Sequence, residues 1–146
     1  MIELADAEAS EAFGRTLAVQ LRPGDAVALF GALGAGKTTL ARGILRGLGY
    51  RGDVASPTFP IVQTYDPPDT RISLWHADLY RIADLSELDE LGLDDARDHA
   101  VLLIEWPERL PVLWPDALRL MLAVDGAGRA LTAQVPPAWG ERWPPR

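Results

Sequence analysis

No cysteine occurs among the 146 residues. That excludes a disulfide framework, a thiol nucleophile and any cysteine-ligated metal, and it agrees with the expectation of a cytoplasmic protein. Lysine is almost as scarce: Lys37 is the only one, and the other thirteen basic residues are arginine. Long apolar runs are missing too, since none approaches the roughly 18 residues of a membrane span. The first residues, Met1-Ile2-Glu3-Leu4-Ala5-Asp6, lack the basic-then-apolar layout of a secretory signal. Positive charge is in deficit, with 21 acidic against 14 basic residues and a net charge of -7. Such a domain repels a phosphate backbone, so DNA is not expected as a partner and RNA is expected only indirectly, through another protein. What remains is an ordinary globular balance, 48% apolar and 24% charged. The length suits one domain rather than two. That domain is expected over residues 1–135, followed by a proline- and tryptophan-rich tail over 136–146.

Periodicity orders the chain. Residues 6–20 predict an amphipathic helix, with Phe13, Leu17 and Leu21 recurring at four-residue spacing. Arg22-Pro23-Gly24-Asp25 is turn chemistry, and Ala26 to Phe30 is a short apolar run that suits a buried parallel strand. A glycine-rich loop follows, and then a helical stretch from Thr38 to Leu48, ending near Gly49. Ser56-Pro57-Thr58-Phe59-Pro60 reads as a loop leading into a strand at Ile61–Tyr65. Pro67-Pro68-Asp69 turns the chain into a second strand over Arg71–Trp75. Asp84 with Glu87 three residues later predicts a capping box on a short helix that stops at Gly92. Val101–Ile104 predicts a second buried strand. Leu118–Val124 and Ala130–Val135 flank Asp125-Gly126-Ala127-Gly128 as a hairpin. The proline-rich tail is expected to be irregular, with Trp139 and Trp143 as packing residues.

The segment Gly31-Ala32-Leu33-Gly34-Ala35-Gly36-Lys37-Thr38 has the spacing of a phosphate-binding loop, set between a strand and a helix. Each position has a physical reason. The glycines let the backbone bend around an anion so that successive N–H groups point inward. The helix that follows presents its positive end to the same anion. A lysine ammonium is a compact point charge that fits such a loop, whereas a guanidinium is a broad planar fork. Lys37 is therefore expected on the β- and γ-phosphates, the Thr38 hydroxyl on Mg²⁺ and Thr39 near the α-phosphate. Gly31, Leu33, Gly34, Ala35 and Gly36 complete the loop around the nucleotide. The guanine-reading Asn/Thr-Lys-x-Asp loop needs a second lysine, which this chain lacks, so ATP is the expected nucleotide. The expected fold is α/β: a P-loop NTPase-like three-layer α/β/α arrangement with a mostly parallel central sheet and a C-terminal antiparallel hairpin.

Two carboxylates stand where strands deliver them. Glu105 ends the 101–104 run, and Asp78 follows the 71–75 run in His76-Ala77-Asp78-Leu79-Tyr80-Arg81. Ligands of open α/β sheets gather outside the carboxyl ends of strands. One of the two acids is expected to hold Mg²⁺ while the other orients the attacking water. The blander alternatives are an exposed strand-end charge for Glu105 and a turn cap for Asp78. His76 reads first as a structural residue. Thr58 fits either a γ-phosphate sensor or simple turn chemistry. Trp106 either packs near the site or anchors the strand end. The acidic cluster Asp94, Asp95 and Asp98 reads as a solvated face. A small-molecule kinase is the alternative to a hydrolase, but such kinases add an arginine-rich lid, and Arg81 and Arg109 are scattered here.

Four segments together resemble the TsaE (YjeE) family of small bacterial ATPases: Gly31–Thr39, Ser56-Pro57-Thr58-Phe59, His76 to Arg81, and Ile104-Glu105-Trp106-Pro107-Glu108. The resemblance spans roughly residues 6 to 110. It implies an ATPase that supports threonylcarbamoyl modification of adenosine 37 in tRNAs reading codons that start with A. It also implies a TsaD–TsaB protein complex as partner, with ATP hydrolysis supporting multiple turnover. Mapped by resemblance, Lys37 and Thr38 take the phosphate and Mg²⁺ roles, Glu105 is a metal-site carboxylate and Asp78 is the other essential acid.

Overall fold

The computed structural model describes residues 1–55 and 61–145. Seven strands form one sheet: β1 (Ile2–Leu4), β2 (Ala26–Phe30), β3 (Val62–Tyr65), β4 (Leu74–Asp78), β5 (Val101–Glu105), β6 (Leu118–Asp125) and β7 (Gly128–Gln134). Their spatial order is β1-β7-β6-β2-β5-β4-β3. The centre is parallel, with β2 between β5 and β6 and with β4 beside β5. Antiparallel pairs occupy both flanks. The strongest apolar runs therefore lie in the middle, where both faces are covered: β2 is Ala-Val-Ala-Leu-Phe, and every residue of β5 is buried.

Helices α1 (Ala7–Gln20) and α2 (Lys37–Gly47) cover one face, burying Leu17, Ala18, Leu40, Ala41, Ile44 and Leu45 against Leu29, Leu74 and Leu103. Helices α3 (Leu85–Leu91) and α4 (Leu93–Ala96) cover the other, with Leu88, Leu93 and Ala96 against Ala77, Leu102 and Ile104. This is the expected three-layer α/β/α fold with a mostly parallel central sheet. No helix among the described residues is long and apolar enough to cross a membrane.

Local chemistry sets the boundaries. Asp6 caps α1 by accepting the Ala9 N–H at 2.8 Å, so the predicted start at residue 6 is the cap itself. The capping box predicted at Asp84 and Glu87 is present, and Gly92 ends α3 in the left-handed region at φ 70°. The strand expected over Arg71–Trp75 lies three residues later, at Leu74–Asp78. Arg71 is not free to pair in the sheet: its N–H donates to the Leu48 carbonyl, and its guanidinium donates to the Ala18 carbonyl. The tail is also more ordered than expected. Pro137–Arg142 makes 3-10 turns, Trp139 is buried in the α1–α2 core, and Arg142 pairs with Asp25 at 2.7 Å. Strand β1 and helix α4 were not anticipated; both are too short to show a period.

Helices α1 and α2 cross closely because glycine sits at the contact. A Cβ on Gly14 would lie 2.6 Å from the Leu40 carbonyl oxygen and 2.7 Å from the Ile44 nitrogen. Both are backbone atoms that cannot swing aside. Gly14→Ala is therefore expected to lower unfolding stability by about 1–3 kcal/mol, despite alanine's better helix propensity. Urea denaturation measures this, and a stabilised variant would contradict the close crossing.

Candidate active site

Strand β2 ends at Phe30 and helix α2 starts at Lys37, so the glycine-rich loop spans only six residues. It turns sharply: Gly31, Gly34 and Gly36 have φ of 154°, 81° and 98°. Such values suit glycine, and side chains rarely adopt them. Gly36 is also the N-cap of α2, where it offers no side-chain acceptor to the first helical amides. Those N–H groups are left for an external acceptor, and the helix dipole favours an anionic one.

Lys37 occupies the first helical position and is 95% buried, with only 5% of its surface exposed. Its Nζ donates to the Gly31 carbonyl at 2.5 Å and lies 3.9 Å from the centroid of the Trp106 ring. Trp106 accepts this stack from an unusual position, with φ of 58° in the left-handed region just past β5. Burial pushes the lysine pKa below its ordinary value, and the negative charges of Glu105, Asp78 and Glu108 oppose that shift.

The two carboxylates meet through strand register. Asp78 and Glu105 are the last residues of β4 and β5 and lie directly opposite each other. Asp78 therefore ends its strand rather than following it. Alternation puts His76 on the same face as Asp78, the face that carries α1 and α2. There Glu105 and His76 are both buried, and His76 Nε2 donates to Glu105 Oε2 at 2.6 Å. Among the described residues His76 Nδ1 has no hydrogen-bond partner. Asp78 Oδ1 accepts the Tyr80 N–H at 3.0 Å, which is the turn contact considered as its blander role.

A cavity of about 540 Å³ opens above these strand ends. Leu33, Gly34, Gly36, Lys37, Thr38, Thr39, Asp78 and Glu105 all line it. Gly31 contributes through its carbonyl, and Ala35 lies just beneath the surface, 2% exposed. Thr58 lies outside the described residues. Sequence reasoning left Tyr80 and Arg129 unassigned and Arg81 scattered, yet all three line the cavity, as does Trp106. Tyr80 and Trp106 rest together, with ring centroids 4.8 Å apart. Arg81 lies three residues past the end of β4 and lines the cavity from there.

The family described as "Threonylcarbamoyl adenosine biosynthesis protein TsaE" matches residues 4–131. The chain belongs to the TsaE family. Among its relatives, a tRNA threonylcarbamoyladenosine biosynthesis protein TsaE of Streptomyces coelicolor is 42% identical over 134 residues, covering 89% of this chain and 90% of that one. The protein of the same description from Bacillus subtilis is 39% identical over 122 residues, covering 83% and 74%. The crystal structure of B. subtilis YdiB superposes with a TM-score of 0.70 at 31% identity, covering 93% of this chain and 85% of that one. TsaE proteins act in tRNA threonylcarbamoyladenosine biosynthesis, and membership implies nucleotide binding and supports a nucleotide hydrolase role. The matched stretch contains the loop, both strand-end acids and Arg129, and stops short of the tail.

Proposed function

We propose that this TsaE protein binds ATP with Mg²⁺ and hydrolyses it slowly alone and faster on a TsaD–TsaB complex, in support of threonylcarbamoyl modification of tRNA adenosine 37. The observation that carries the reading is convergence: the glycine-rich loop, the buried Lys37 and the paired acids Asp78 and Glu105 line one cavity at the strand ends. A site of this kind works by positioning and electrostatics, because phosphoryl transfer needs little covalent chemistry from protein.

In this reading the loop amides and Lys37 hold the β- and γ-phosphates. To do so, the ammonium exchanges the Gly31 carbonyl and the Trp106 face for phosphate oxygens. Thr38 and Glu105 offer oxygen donors suited to Mg²⁺, with His76 fixing the orientation of Glu105. Among the described residues no three His, Cys, Asp or Glu cluster as a metal cage. That donor set fits an ion that takes its other ligands from phosphate and water. Bound there, Mg²⁺ would supply charge neutralisation for the phosphates. Asp78 orients the attacking water, which displaces the β-phosphate oxygen from the γ-phosphorus. The net charge of -7 suits contact with tRNA through partners rather than directly.

The test is ATP turnover by the full chain with and without the TsaD–TsaB pair and tRNA. Slow release of phosphate by the isolated chain and clear stimulation by the complex are expected. Fast turnover that ignores the partners would overturn the regulated reading, and transfer of phosphate to a metabolite would replace hydrolysis by kinase chemistry.

A further inference from the structure

Arg129 reaches the phosphate-binding loop from β7, two strands away across β6. It is the second residue of β7, in register with Leu4 of β1 and Val124 of β6. Its backbone is held tightly there: a Cβ on the preceding Gly128 would lie 2.5 Å from the Leu4 carbonyl oxygen. From this anchor the guanidinium crosses to the loop. Nε donates to the Ala35 carbonyl at 3.0 Å, and Nη2 donates to the Gly34 carbonyl at 3.1 Å. The third nitrogen, Nη1, donates to the Gly128 carbonyl at 2.9 Å, bracing the fork against its own strand.

The two clamped carbonyls belong to the peptide units 34–35 and 35–36, which lie between two glycines in the left-handed region, Gly34 at φ 81° and Gly36 at φ 98°. Glycine permits those units to rotate, because it tolerates either sign of φ. A loop able to flip them does not by itself decide whether N–H or C=O faces an anion. A trans peptide carries its C=O and N–H on opposite sides. Pinning both carbonyls on Arg129 therefore fixes the amides of Ala35 and Gly36 on the side away from the guanidinium. The Ala35 amide is already engaged in the loop's own turn, donating to the Ala32 carbonyl at 3.0 Å, which leaves the Gly36 amide as the one the clamp presents.

We infer that Arg129 is a positioning residue of the nucleotide site: its planar fork clamps the Gly34 and Ala35 carbonyls and so presets the Gly36 amide for a diphosphate. The inference rests on the nucleotide-binding part of the reading above and is independent of the partner complex. It requires a fork rather than a charge, because a lysine ammonium has no rigid pair of donors spaced for two adjacent carbonyls.

The experiment titrates ADP calorimetrically into the full-length wild type, Arg129→Ala and Arg129→Lys, with thermal unfolding of each free protein and the Gly36 amide followed by ¹H–¹⁵N NMR. In both variants ADP binding is expected to weaken about tenfold or more. The Gly36 amide should lose the displacement that ADP causes in the wild type, while the melting midpoint changes little. Wild-type affinity in Arg129→Lys would overturn the clamp in favour of charge alone, and wild-type affinity in Arg129→Ala would overturn any role. Weakened binding with an unchanged Gly36 response and a large drop in melting temperature would also overturn it, by making Arg129 a structural strut of β7. Failure of the wild type to bind ADP would instead remove the nucleotide reading, and the clamp with it.

Discussion

Lys37→Arg is expected to keep the positive charge and lose most ATP turnover, by about 100-fold or more, the scale seen when one preorganised electrostatic group is removed from a transition state. The reason is shape. The ammonium sits 5% exposed between the Gly31 carbonyl and the face of Trp106, in a space sized for a point charge. A guanidinium is wider, carries five donors in one plane and cannot turn end-on into the loop. Arginine serves at thirteen other basic positions, and this is the one place where it does not. Steady-state phosphate release, with Lys37→Ala as the reference for complete loss, measures the effect. Wild-type turnover in Lys37→Arg would show that charge alone suffices.

Glu105→Gln is expected to lower turnover by about 10²–10³-fold while changing ADP affinity only a few-fold, because a carboxamide keeps the shape but not the charge at the metal site. The same position separates chemistry from stability. The glutamine oxygen still accepts the His76 N–H, so the folded state is little affected. Glu105→Ala removes that acceptor, leaving the 0%-exposed imidazole without its 2.6 Å hydrogen bond. A buried donor without a partner costs about 1–3 kcal/mol, so the alanine variant should unfold at lower denaturant than the glutamine variant. Equal stability of the two would mean that His76 finds another acceptor, and full turnover in Glu105→Gln would remove Glu105 from the reaction.

The legible parts of this molecule were those with a local signal. β2 was readable from five apolar residues between turns, α3 from Asp84, Glu87 and Gly92, and the loop from its glycine spacing. The position of β4 was not, because Arg71 is withdrawn from the sheet by acceptors on α1 and after α2, which no local pattern announces. In the site, Asp78 and Glu105 were legible as strand-end acids, but their direct opposition depends on the pairing of β4 with β5. The His76–Glu105 contact spans 29 residues and follows from that register alone. Arg129 gave no signal at all. It is one arginine among thirteen beside a hairpin turn, and its meaning lies 94 positions earlier.

That separation has a consequence for how the chain is made. Synthesis proceeds from the N-terminus, so Ile2–Leu4 emerges well before Arg129–Leu131, its partner in the sheet, and waits for it with open backbone groups. The loop's outer carbonyls wait for the same few residues. A nascent chain shorter than about this length has both a bare sheet edge and glycines free to turn. Long-range closure of this kind is slow compared with helix formation. The last stretch of the matched sequence thus acts as a latch: β7 joins β1 to the rest of the sheet and holds the loop beside β2 in the same event.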